Sequence, residues 1–330
     1  MNKNTTLRTL MSGLLSASLA LLGSAAVAPA LAQGFPNKAI KFVVPFPPGS
    51  ATDTSARYFA KKLSEMTSQP VIIDNKAGGN GFIAVRAVLS APADGYTVFI
   101  GSNSSLAVNA ALFKSLPYDP IADFSPLTMM VRAPAVLIVP GSSKHTTLAE
   151  LIAAAKAKPG ALNYAHGSAG YQLMAELFNE SANVKTYGVP FKSATDSVIA
   201  VASETVQFAF VEVTSAQELV KSGKLHALAV ASASRISALQ SVPTSAEAGL
   251  SGFNAYVWVA AAVSSKTPKA ESDKLAAMMA KIENLPETRE FYERIGGEVM
   301  RGGADEMRAF QIAEIDLWKR IAVKAKIEQQ

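Results

Sequence analysis

Apolar and polar positions follow two rhythms along this chain. Short unbroken apolar runs, as in strands buried on both faces, occur at 41–46, 71–73 and 97–101. Between them the spacing turns helical: Ala56, Phe59, Ala60 and Leu63 fall at i, i+3, i+4 and i+7, and a second amphipathic stretch runs to Leu89. This β-α-β-α-β order predicts a parallel, doubly wound sheet. A second series starts at 136–139. It predicts a helix over 148–156 stopped by Pro159-Gly160, strands over 162–165, 206–210 and 225–231, and a further strand over 256–263. Two helices are predicted to close the chain, at 273–282 and 306–321, the latter with Met307, Phe310, Leu317 and Ile321 on one stripe. No tandem repeat or low-complexity linker separates the two series. The expectation is an α/β protein of two lobes, 33–131 with 255–330 as lobe 1 and 132–254 as lobe 2. Strands near 131–136 and 254–258 join them across a cleft.

The first residues have a different pattern. Lys3 and Arg8 precede an apolar stretch at 10–22, and Ala30-Leu31-Ala32 supplies the small-x-small site that a signal peptidase accepts. Residues 10–32 could nearly span a bilayer as an uncleaved anchor, but they are rich in Ala, Ser and Gly. Residues 1–32 are therefore expected to be a signal peptide cleaved after Ala32, leaving a soluble periplasmic protein that begins at Gln33.

Composition narrows the function classes. At 330 residues the chain has room for two domains, at roughly 100–200 residues each. A hydrophobic share of 49% and a charged share of 17% exclude an intrinsically disordered chain. Cysteine is absent, which removes disulfides, thiolate metal sites, cysteine nucleophiles and iron–sulfur ligation. With only His145, His166 and His226, a His-rich zinc site is not expected, and no metal or cofactor is assigned. The net charge of +5 owes Lys3 and Arg8 to the leader, so the remainder has 29 basic against 26 acidic residues, interspersed without a basic stripe. That argues against nucleic-acid binding.

Three polar turns at strand ends are candidates for chemistry. In Pro45-Phe-Pro-Pro-Gly-Ser-Ala-Thr-Asp53 a strand stops, Gly49 permits a tight turn, and Ser50 and Thr52 bring hydroxyls to a helix start. Helix N-terminal amides lack intrahelical acceptors and favour an anion such as a carboxylate. Ordinary capping by Thr52 or Asp53 accounts for the same residues. Asp53 would repel an anion unless it caps the helix or meets a donor. Ala165-His-Gly-Ser-Ala-Gly170 repeats the construction before a helix predicted over 172–178, and Gly101-Ser-Asn-Ser-Ser105 is the third turn. The carboxyl ends of strands are where open α/β sheets bind ligands. Lys192 would either pair with a ligand carboxylate or be solvated or helix-capping, and Tyr256 and Trp258 would line either a pocket or the core. Gly-x-Ser-x-Gly, Gly-x-Gly-x-x-Gly and Walker lysine motifs are all missing. A triad of Ser168 with dispersed His and Asp is the remaining enzyme reading.

The chain resembles the periplasmic solute receptors of tripartite tricarboxylate transporters, the Bug receptors, over 35–325. The resemblance rests on Val44-Pro-Phe-Pro47 with Gly49, Thr52-Asp53 and Ala56-Arg57, then Ala91-Pro-Ala-Asp-Gly-Tyr96 and Leu116-Pro-Tyr-Asp-Pro120 with Asp123-Phe124. It continues through Val189-Pro-Phe-Lys192, Gly223-Lys-Leu225, Ala227-Leu-Ala-Val230, Val242-Pro-Thr244, Glu247-Ala-Gly249, Trp258 and Thr267-Pro268. It implies a type II periplasmic-binding fold, two doubly wound α/β lobes that hinge shut over a small carboxylated molecule, without catalysis. The implied ligand-binding residues are Pro48, Gly49, Ser50, Ala51, Thr52 and Asp53 on one loop and His166, Gly167, Ser168, Ala169 and Gly170 on the facing one; the third polar turn adds Ser102 and Ser104 as candidates. The implied partners are the carboxylate and the membrane subunits of a tripartite tricarboxylate-type transporter, and a monomer is expected. A periplasmic sensor docking on a signalling partner is the alternative. The sequence departs from the family pattern at Ser50-Ala51, in a second loop about two residues shorter with Gln172 in place of a usual His, at Ser193 and Asp196, and at Val206-Gln207. Of the two loops, the first matches the family better, so Gly49→Val is expected to abolish binding more reliably than Ser168→Leu.

Overall fold

The computed structural model describes residues 34–329, so the expected signal peptide lies outside the described residues. Among the described residues, eleven strands form two sheets. The first sheet contains β1 (Ile40–Val44), β2 (Val71–Asn75), β3 (Thr97–Ser102) and β4 (Phe124–Pro134). The second contains β5 (Val136–Pro140), β6 (Asn163–His166), β7 (Tyr187–Pro190), β8 (Phe208–Val211) and β9 (Leu225–Val230). The chain then returns to the first sheet with β10 (Tyr256–Ser264) and β11 (Glu298–Val299).

Both sheets follow one plan. In the first, ordered β11-β4-β10-β3-β1-β2, β1 pairs parallel with β2 and β3, and β10 runs antiparallel to β3 and β4. In the second, ordered β7-β6-β8-β5-β9, β6 pairs parallel with β7 and β8, and β5 runs antiparallel to β8 and β9. The sheets are thus mixed rather than wholly parallel. The antiparallel strand in each is the one entered when the chain crosses from the other sheet. At the crossing, Ala135 N–H donates to Ala255 O at 2.9 Å, Ala255 N–H to Ala231 O at 3.0 Å, and Ala231 N–H to Ala135 O at 2.8 Å. All three alanines are buried.

Helices α1 (Ala51–Thr67), α2 (Phe82–Leu89) and α3 (Asn109–Leu112) follow strands of the first sheet, and α4 (Leu148–Ala157), α5 (Ala169–Ala182), α6 (Ala194–Ala202) and α7 (Val213–Lys221) follow strands of the second. Three helices, α8 (Lys269–Glu283), α9 (Pro286–Arg294) and α10 (Ala304–Lys324), lie in the last part of the chain. On α1 the expected stripe of Ala56, Phe59, Ala60 and Leu63 is buried. Helix α9 was not predicted: it buries only Thr288 and Tyr292, which is too little for an apolar period to show.

One buried group makes stability depend on pH. Glu283, at the end of α8, is 4% exposed and shares a hydrogen bond with Thr128 of β4. Burial pushes its carboxyl up to about 8, although the Thr128 bond pulls the other way. From the unfolded value of about 4.3 upward, the folded state keeps a proton that the unfolded state releases. Stability should therefore fall as pH rises through that window and level off above about 8. Glu283→Gln is expected to raise the melting temperature at pH 8 and leave it unchanged at pH 4. Equal shifts at both pH values in a thermal scan would contradict this.

Candidate functional site

The first loop is shaped by β1 ending in prolines. Gly49 takes φ +87°, and a methyl group there would meet nothing within 4 Å, so glycine serves the turn and not the packing. The N-cap of α1 is Ser50, whose Oγ accepts from Asp53 N–H at 3.2 Å; Thr52 and Asp53 are not the cap. Asp53 is 2% exposed and accepts from Gly49 N–H, Arg57 Nε and Asn75 Nδ2, each at 2.9 Å. Asn75 also donates to Phe46 O at 3.0 Å. Burial alone would push the Asp53 carboxyl up, but the bonds from Arg57, Gly49 and Asn75 outweigh it and hold the group below the usual carboxylate range. Asp53 thus braces the loop from behind.

The second loop follows β6. Ser168 is the N-cap of α5 and makes no cap bond with its side chain. Gly167 packs on the start of α6: a Cβ there would lie 2.0 Å from the Ser193 carbonyl carbon and 2.3 Å from Ala194 N. Ser193 caps α6, accepting from Asp196 N–H at 3.1 Å. The third turn runs from β3 into a π-helical turn over Ser104–Val108. Ser102 Oγ accepts from Ser104 N–H at 3.3 Å, and Ser104 Oγ accepts from Gly170 N–H at 3.2 Å. Gln311 of α10 clamps this segment from below, its Nε2 donating to Leu106 O at 2.8 Å and Pro120 O at 2.9 Å. Between the two serines, Asn103 is 1% exposed and its Nδ2 has no partner.

These segments line a narrow inner cleft with a cavity volume of about 30 Å³. Of the residues expected from sequence, Pro48, Ser50, Ala51, Thr52, Ser102, Ser104, Gly167 and Ser168 line it. His166 and Ala169 line a wider adjoining space of about 780 Å³, with Gln172, Lys192 and Asp196. Gly49, Asp53 and Gly170 line neither; they fix the backbone that does. The sequence reading missed Phe46, Pro47, Asn103, Tyr171, Ser193, Ala194, Thr195, Glu212 and Val257. The signal for the last helix starts was the same one used elsewhere, a strand ending at Pro190 or Val211 just before a helix. Trp258 is core, with its indole N–H on Glu314 at 2.8 Å, and Tyr256 lies against Arg132.

The chemistry of the cleft is that of helix starts. First-turn residues of α1, α5 and α6 and the N-cap of α7 all line it. Such amides lack intrahelical acceptors and lie at the positive ends of helix dipoles, which favours an anion. Among the described residues lining it there is no Lys, Arg or His. His166, outside it, is held neutral at pH 7 because burial pushes its ring down to about 4, a Ser168 backbone bond offsetting only part. No cluster of three or more metal-ligating side chains occurs among the described residues.

Comparison with known proteins gives these features a lineage. The chain is 33% identical over 298 residues to protein BugT of Bordetella pertussis, a match covering 88% of this chain and 90% of that protein. The structure of Rpa4515 of R. palustris with adipate has a TM-score of 0.84 at 32% identity, covering 88% of this chain and 98% of that one. MatC from Rhodopseudomonas palustris with bound malate has a TM-score of 0.80 at 27% identity, covering 87% and 99%. The α/β fold expected from the resemblance is thereby borne out. Residues 55–327 match the family model of the tripartite tricarboxylate transporter family receptor, a family of receptors and not of enzymes, and the chain belongs to it.

Proposed function

We propose that this protein is an exported receptor that holds a small organic carboxylate in the inner cleft and delivers it, as a monomer, to the membrane subunits of a tripartite tricarboxylate-type transporter. The observation that carries the reading is the convergence of helix N-termini on one cleft whose described lining contains no cationic side chain. Carboxylates are also what two structural relatives hold, adipate in Rpa4515 and malate in MatC. A sensor docking on a signalling partner is not favoured, because the family is one of transporter receptors.

Receptors of this family are periplasmic, and no helix among the described residues is long and apolar enough to cross a membrane. Residues 1–32 supply export, and periplasmic material is expected to start at Gln33 by intact mass. The lobes, 33–131 with 255–330 and 132–254, swing about the crossing at Ala135, Ala231 and Ala255, as in other hinge closures around ligands. A thermal-shift screen of the mature protein against mono-, di- and tricarboxylates tests the ligand class. A true ligand at 100 times its Kd adds about 2.7 kcal/mol of stability. Solution scattering with that ligand should show a smaller radius of gyration. A screen in which no carboxylate shifts the transition would remove the reading.

A further inference from the structure

We infer that the inner cleft selects carboxylates that also carry an ammonium group, and that Glu212 is the residue that receives it. This rests on the carboxylate reading above and narrows it to amino-carboxylates. Glu212 closes the turn between β8 and α7, lines the cleft, and is 4% exposed. Its Oε1 accepts from Ala51 N–H across the cleft at 3.4 Å, and its Oε2 accepts from the Tyr171 hydroxyl. Both partners are neutral, and the first bond is long. A buried carboxylate is strongly disfavoured unless it meets a positive charge or a full set of donors.

Asp53, buried on the other side of the Ala51 turn, shows how the fold treats such a group elsewhere, with Arg57 and two further donors on it. Glu212 has no such counter-charge: the described lining of the cleft contains no Lys, Arg or His.

The cleft is therefore bipolar. One end offers donors: the starts of α5 and α6 and the buried, unpartnered Asn103 Nδ2. The other offers the Glu212 carboxyl, a buried acceptor with two neutral partners and no cationic one. A ligand that is only an anion satisfies the donors but leaves the Glu212 carboxyl without a cationic partner. A zwitterion satisfies both ends, its carboxylate on the amides and Asn103, its ammonium donating to Glu212.

The test is calorimetry with matched pairs that differ by the amino group: L-alanine and propionate, L-aspartate and succinate, L-glutamate and glutarate, L-phenylalanine and 3-phenylpropionate. Wild type is expected to bind the amino member of at least one pair at least about tenfold tighter, a difference of about 1.4 kcal/mol. Glu212→Gln, which keeps the shape and an acceptor for Tyr171, should abolish or reverse that preference. If the desamino member binds as well or better, the proposal falls while the carboxylate reading stands. If the amino preference persists unchanged in Glu212→Gln, Glu212 is not the partner and the proposal falls. If no member of any pair binds, the proposal falls, and the wider carboxylate screen decides separately whether the carboxylate reading falls with it.

Discussion

Replacing Gly167 by alanine is expected to abolish carboxylate binding, raising Kd by about a hundredfold or more, equivalent to about 2.7 kcal/mol. The added carbon would lie 2.0 Å from the Ser193 carbonyl carbon, 2.2 Å from its oxygen and 2.3 Å from Ala194 N. These are backbone atoms at the capped start of α6, so no flexible side chain can swing aside. The loop must move away, and the amides of α5 move with it, out of register with those of α6. Charge-assisted hydrogen bonds lose strength steeply with such shifts. Overpacking itself should cost about 1–3 kcal/mol of stability, or roughly 2–4 °C in Tm per kcal/mol. Gly49→Ala is the contrast. It incurs roughly 1–2 kcal/mol for a left-handed L-residue but meets no neighbour within 4 Å, so binding should change far less. This reverses the emphasis placed on Gly49 from sequence. Calorimetry on the folded variants decides, and a Gly167→Ala protein binding within about threefold of wild type, under 1 kcal/mol, would show that the α5–α6 contact does not shape the site.

Asp53→Ala is expected to destabilise the protein by about 3 kcal/mol at neutral pH, the scale of a buried charged group losing its hydrogen bonds. The substitution leaves Gly49 N–H and Arg57 Nε without their acceptor and removes one of the two acceptors of Asn75. The sign of the pH dependence follows from the direction of the shift. The folded carboxyl titrates below its unfolded value of about 3.9, so its contribution is fully present above that value. It fades as pH falls through the folded pKa. Wild type and variant should thus differ most near pH 7 and converge in strong acid. Urea denaturation at pH 7 and pH 3 provides the check, and an undiminished gap at the lower pH would rule out the carboxylate as the brace.

Much of this architecture was legible in the sequence because its determinants are local. The stripe on α1, the apolar runs of β1 and β3, and the turns at Ser50, Ser102 and Ser168 each depend on neighbours within a few residues. What escaped depends on distance along the chain. Asp53 reads as a cap until Asn75, 22 residues on, is seen to hold it. Glu212 sits 161 residues from Ala51, and no spacing rule links a glutamate after Phe-Ala-Phe-Val to the Pro-Gly-Ser turn that follows β1. Asn103 lay inside a turn already singled out, but only burial without a partner separates it from Ser102 and Ser104.

The three alanines at the crossing set a limit on modularity. Each of Ala135, Ala231 and Ala255 is donor to one of the others and acceptor from the remaining one, so the three bonds close on themselves. No single strand can be withdrawn without orphaning one buried N–H and one buried carbonyl, at about 1–3 kcal/mol each. Two of the three segments always belong to the half that an engineer would wish to keep or discard. Neither sheet with its helices can be excised, transplanted or exchanged between receptors as a free-standing cassette unless the exchange carries all three alanine segments together.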